Sequence, residues 1–109
     1  MITSEAVTAT IKLYSSHGWI LRSLRVPVDV LEGMGEMQPG VTASPGDFGF
    51  AWFSRPPGAG PIAWEIRYLG EPPYALVEHL DESSPDFKVE ISAVEDRLRA
   101  IIASRIRGH

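Results

Sequence analysis

His79 stands in the stretch Glu78-His79-Leu80-Asp81-Glu82, with Asp86 close behind, so one imidazole and four carboxylates fall within nine residues. These are the residue types that ligate a divalent metal or move a proton. Zinc favours several imidazole or thiolate donors, and this stretch has a single imidazole. Residues 81–86 also lack the every-second-residue acids, central glycine and closing glutamate of a calcium loop. The stretch reads as a solvated acidic loop, and no metal site is assigned. His17, beside Gly18, reads as a turn residue.

Nucleophile signatures are missing as well. The chain has no cysteine, which excludes disulfides, thiolate metal sites and a cysteine nucleophile. Neither Gly-x-Ser-x-Gly nor Ser-x-x-Lys occurs. Gly33-Met34-Gly35-Glu36-Met37-Gln38 starts like a dinucleotide fingerprint but has no third glycine. Asp47-Phe48-Gly49 matches a kinase tripeptide in a chain with no room for the rest of that machinery. No catalytic residue and no cofactor is assigned.

Two other groups of residues suit recognition. Phe48-Gly49-Phe50-Ala51-Trp52-Phe53 puts large aromatics on both sides of a strand, and Trp52 and Phe53 beside Arg55 are the types that anchor protein interfaces. Glu71, Glu78, Asp81, Glu82 and Asp86 cluster in the sequence as an acidic patch, expected at one end of a sheet, where it would steer a basic partner.

The chain has 109 residues, of which 44% are apolar and 22% charged, so a single domain over 1–109 with one core is expected. Fourteen acids against ten bases give a net charge of −4, which argues against a phosphate-backbone binder. Eight of the ten bases are Arg and Asn is absent, the bias that GC-rich bacterial codons produce. The start, Met1-Ile2-Thr3-Ser4-Glu5, has no secretory pattern and no apolar run reaches membrane-spanning length. A soluble cytoplasmic protein with neither membrane nor nucleic-acid partners is therefore expected.

Residues 6–14 alternate Val7, Ala9, Ile11 and Leu13 with polar neighbours, which predicts a strand, and Ser15 to Gly18 predicts a turn into a second strand, Trp19 to Val26. Pro27 predicts the start of a short helix, Val28 to Met34, followed by a long loop over 33–47. Phe48 to Phe53, Ile62 to Leu69, Tyr74 to His79 and Phe87 to Ile91 read as further strands, and their short connections favour antiparallel pairing. Ile62, Trp64, Ile66 and Tyr68 share an apolar face; the opposite face is expected to be largely wet. A capping box at Ser92 and Glu95 predicts a C-terminal helix with Val94, Leu98, Ile101, Ile102 and Ile106 inward, Arg105 in the same stripe, and Gly108 as the stop. The resulting class is α+β: a single mainly antiparallel β-sheet of about five to six strands, with the C-terminal amphipathic helix packed on one face.

Three functional expectations follow. The first is a non-catalytic protein-binding domain, an acidic inhibitor that docks on a basic partner. In size, charge and architecture the chain is similar to the small α+β immunity proteins that neutralise bacterial toxins; no motif carries that resemblance. The second is a small-molecule-binding or enzymatic domain, with its pocket between sheet and helix or under the 33–47 loop and with His17, Arg22, Arg67 or His79 fixing orientation. The third is a subunit that self-associates through an edge strand or the aromatic strand.

Overall fold

Thr3 accepts a hydrogen bond from the backbone N–H of Ala6 at 3.1 Å and so opens a helix, α1, over Ser4–Ser16. This corrects the strand expected over residues 6–14. Val7, Ile11 and Tyr14 also lie at i, i+4 and i+7, a helical stripe, and it is this stripe that faces the core, with Val7 and Tyr14 buried and Ile11 half-buried, while Ala9 and Leu13 face solvent. The turn ends that helix: His17 is its C-cap, and Gly18 follows with φ +85°, a conformation that favours glycine. The structure, a computed structural model, describes residues 2–56 and 62–107, with 106 and 107 given by backbone alone. Gly108, His109, the side chain of Ile106 and most of the 55–61 connection lie outside the described residues.

After α1 come β1 (Ile20–Val26), α2 (Val28–Met34), β2 (Thr42–Pro45), β3 (Phe50–Arg55), β4 (Ala63–Tyr68), β5 (Tyr74–His79) and α3 (Phe87–Arg107). The five strands form one sheet in the order β2-β1-β3-β4-β5. All neighbours are antiparallel except β1 and β2, which run parallel. Parallel neighbours need a crossover, and α2 supplies it. The 33–47 segment expected to be loop therefore contains an edge strand, and β1 pairs with β3 in place of a hairpin with the N-terminal segment. Pro27 stands at the N-cap of α2, one position before the first helical residue.

α3 begins at Phe87, so 87–91 is helix where a strand was expected, and Ser92 and Glu95 lie inside the helix, not in a capping box. Phe87, Ile91, Val94, Leu98 and Ile102 form a continuous stripe at helical spacing that the local alternation of 87–91 concealed. Arg105 packs beside Tyr74, with its guanidinium carbon 5.2 Å from the ring centroid, and is exposed.

The helices cover opposite faces at opposite ends of the sheet. α3 packs on Phe50 and Trp52 of β3, Trp64 and Ile66 of β4, and Tyr74 and Leu76 of β5. On the other face, α1 and α2 pack on Leu24 and Val26 of β1, Ala43 of β2, and Ala51 and Phe53 of β3. β3 is covered by apolar side chains on both sides, which is why Phe50 through Ser54 are all buried. The face expected to be wet is thus dry over β1 and β3 and open over β5. One row across it shows the change: Phe53, Glu65 and Val77 are paired in register, with Phe53 at 0% exposure and Val77 at 52%.

Candidate functional site

On the α3 face the gradient runs the other way. Thr42, Ser23, Trp52, Ile66 and Leu76 form one row in register, and Ser44, Arg25, Phe50, Tyr68 and Tyr74 the next. Each row is polar on β2 and β1 and apolar from β3 onward. α3 covers the apolar end and leaves the polar end as the floor of a trough between the helix and the β1–β2 edge.

A bulge in β1 makes this floor. Leu21 pairs with Phe53 and Ser23 with Trp52, so Arg22 is the extra residue. Strict alternation would put Leu21 and Ser23 on the same side. The extra residue instead sends Leu21 and Leu24 into the α1 core and Arg22 onto Trp64 on the α3 side.

The trough has two adjoining recesses that share Ser23 and Thr42. The outer one, about 340 Å³, is walled by Trp64, Phe87 and Ile91, with Arg22 and Glu82 at its rim. Arg22 donates to Ser54 Oγ at 3.1 Å, forms an ion pair with Glu82, and lies 4.6 Å from the centroid of the Trp64 ring. The inner recess, about 200 Å³, is lined by Arg25, Ser44, Phe50 and Glu95. The Trp52 indole donates to Glu95 Oε2 at 2.9 Å, which fixes that carboxylate on the helix side.

Two donors in this region have no acceptor among the described residues: the Trp64 indole N–H and the Arg25 Nε–H, both fully buried atoms. Most buried donors in folded proteins are partnered; these two, on side chains that line the two recesses, are exceptions. Gly46 helps to place Arg25. A Cβ there would stand 2.5 Å from Arg25 Cδ and 2.6 Å from Cγ, so only glycine lets the arginine stem lie across this turn.

The residues singled out from the sequence are dispersed. Trp52 and Phe53 are core, 2% and 0% exposed, and present no docking surface. Arg55 is exposed, its guanidinium carbon 5.9 Å from the Trp19 ring centroid. Glu78 pairs with Arg97, and Glu82 with Arg22. Asp81 accepts from Ser83 through its hydroxyl at 2.6 Å and its backbone N–H at 3.0 Å, bonds that hold its carboxyl below its ordinary value. Asp81, Glu82 and Asp86 lie between β5 and α3, and Glu71 precedes the other end of β5, so a six-residue strand about 20 Å long separates it from the rest. No group of three metal-ligating side chains occurs among the described residues.

Of the polar groups expected around a pocket, only Arg22 is in the trough. His17 caps α1, with Nδ1 2.9 Å from the Leu13 carbonyl, and His79 is exposed on β5. Arg67 lies on the opposite face beside Tyr14, whose hydroxyl donates to Glu65 and whose ring stacks on Phe53 at 4.1 Å. Burial, then the Glu65 carboxylate, pushes the Tyr14 hydroxyl up to about 12, so the group stays neutral and pins α1 to the sheet.

A second cavity, about 330 Å³, lies under the 36–41 loop between Trp19, Met37 and Lys12. No buried unpartnered donor is found in its lining among the described residues. The sequence missed Ser23, Arg25, Thr42, Ser44, Trp64 and Glu95 as site residues. The available signal was Ser23-x-Arg25 and Thr42-x-Ser44, polar residues two apart flanking apolar ones. No helix among the described residues is long and apolar enough to cross a membrane. Comparison of the chain with protein-family models, with curated proteins and with solved structures finds no match.

Proposed function

We propose that this chain is a small-molecule-binding domain whose site is the trough between α3 and the β1–β2 edge. The observation that carries the reading is the pair of adjoining recesses, which share the hydroxyl-bearing Ser23 and Thr42 and set Arg22, Arg25 and Glu95 beside the walls formed by Trp64, Phe87 and Ile91. The aromatic wall and the hydroxyl floor supply the mixture of apolar contact and few polar anchors common to ligand pockets.

A thermal-stability screen with small carboxylates, phosphates, amino acids and uncharged polyols tests it. A ligand present at about 100 times its Kd adds about 2.7 kcal/mol, a rise of about 10 °C or more for a domain of this size. The rise is expected for wild type and lost in Arg25→Gln and Trp64→Phe. A panel with no stabilising member contradicts the reading.

The exposure of Asp81, Glu82 and Asp86 on the β5–α3 turn supports a second reading, docking on a basic protein. Asp81→Lys with Asp86→Lys tests it without breaking either ion pair that Glu78 and Glu82 make. Capture of a basic protein at low salt by wild type and not by the double variant is the expected result. Equal capture by both removes the acids from the interface.

A further inference from the structure

The charges of the inner recess identify the class of molecule it fits, an inference that rests on the trough being a ligand site. Arg25 and Glu95 line the same recess of about 200 Å³. Neither makes an ion pair, with the other or with any further group, among the described residues; the pairs found are Arg22 with Glu82, Arg97 with Glu78 and Arg99 with Asp96. Each is held by contacts that leave its charge unspent. The Arg25 stem lies across Gly46 and its guanidinium carbon is 5.7 Å from the Phe50 ring centroid. Glu95 uses Oε2 to accept from Trp52, and Oε1 has no partner among the described residues.

A simple anion on Arg25 meets the Glu95 carboxylate in the same small recess, and a simple cation on Glu95 meets the guanidinium. Like charges sharing one recess disfavour either occupant. A molecule carrying both signs on one short skeleton satisfies both groups at once. The outer recess, with Trp64, Phe87 and Ile91 as walls, then receives whatever that skeleton bears. The hydroxyls of Ser23 and Thr42, which border both recesses, can donate or accept at the junction.

We propose that the trough binds a free α-amino acid, with its carboxylate on Arg25, its ammonium on Glu95 and its side chain in the outer recess against Trp64. The guanidinium offers a planar fork to a carboxylate, while the ammonium needs only a carboxylate oxygen such as Oε1.

Isothermal titration calorimetry tests this with each proteinogenic L-amino acid. The tightest binder is then compared with its des-amino acid and its decarboxylated amine. The expected result is binding by at least one amino acid, with each analogue weaker by about tenfold or more, the scale of one charge-assisted hydrogen bond. Glu95→Gln keeps an acceptor for Trp52 while removing the charge, and is expected to weaken the amino acid by about tenfold or more and leave the des-amino acid unchanged or tighter. Arg25→Lys, which keeps charge and stem but loses the fork, guards against a folding defect in Arg25→Gln, and its loss is expected to be smaller.

A des-amino acid that binds as tightly as its parent overturns the assignment of Glu95. If carboxylates or phosphates bind and no amino acid does, the amino-acid proposal falls while the trough stands as a site. If no molecule of any class binds, both fall.

Discussion

Phe53→Ala separates a sheet covered on two faces from one covered on a single face. Phe53 is wholly buried and its ring stacks on Tyr14 at 4.1 Å. Truncating a buried phenylalanine costs about 3–5 kcal/mol, and the lost ring pair contributes about 0.5–1.5 kcal/mol. The expected loss is therefore about 4 kcal/mol, a large share of the roughly 5–15 kcal/mol that a domain of this size possesses. In urea, with a slope of about 1.5 kcal/mol/M, the midpoint should fall by about 2.7 M. Val77 supplies the control: it is in the same register row and on the same face, beyond the cover of α1, and is 52% exposed. Val77→Ala should stay within about 0.5 kcal/mol of wild type. A Phe53→Ala loss below about 1 kcal/mol, or equal losses at the two positions, would refute the packing of α1 on β3.

Further outcomes follow from the same geometry. Glu95→Ala removes the acceptor of the buried Trp52 indole and should destabilise by about 1–3 kcal/mol in urea unfolding, with Glu95→Gln recovering most of it. Gly46→Ala puts a Cβ where the Arg25 stem lies; it should cost about 1–3 kcal/mol and weaken binding in the trough, whereas a variant that binds like wild type shows that Arg25 does not depend on this turn. Tyr14 has a folded-state pKa of about 12 against an ordinary 10.0. The value is raised, so its contribution is complete below pH 10.0 and is lost as pH climbs towards about 12. Ultraviolet titration of wild type against Tyr14→Phe should show one phenol ionising near 12, and the variant's stability should depend less on pH in that window. Glu78→Gln breaks an ion pair with solvent-accessible partners and should change stability by less than about 1 kcal/mol.

The middle of the chain was legible because its strands have period-two faces and short Gly/Pro connections: β3, β4 and β5 all fall where the pattern puts them. Both ends misled for one physical reason. Over a few residues, Val7-Thr8-Ala9-Thr10-Ile11 and Phe87-Lys88-Val89-Glu90-Ile91 alternate like strands, and each also begins a helical stripe that only a longer window shows. Thr3 as an N-cap, with its acceptor used by Ala6, was the competing signal at the first. At the other end the stripe continues through Val94, Leu98 and Ile102. β2 was hidden because four residues, Thr42–Pro45, carry almost no periodicity, and the strand exists through its parallel pairing with β1.

The site was less legible than the fold. An arginine between Leu24 and Val26 reads as the solvent side of any strand, and nothing local shows that Gly46 lets its stem fold down and bury Nε. The bulge at Arg22 cannot be counted from β1 alone, because it exists only relative to β3. By type alone Trp52 and Phe53 read as surface anchors; what places them in the core is that α3 and α1 overlap on the same central strand.

The trough is tested most directly by following the three tryptophan indole N–H signals in 15N–1H correlation spectra. The screen members, amino acids, carboxylates and phosphates, are added in turn. The account predicts that one of them shifts the Trp64 signal strongly as it packs against that ring, while the signal of Trp19, in the cavity under the 36–41 loop, stays in place. A Trp64 signal unmoved by every compound, or a response confined to Trp19, would contradict it.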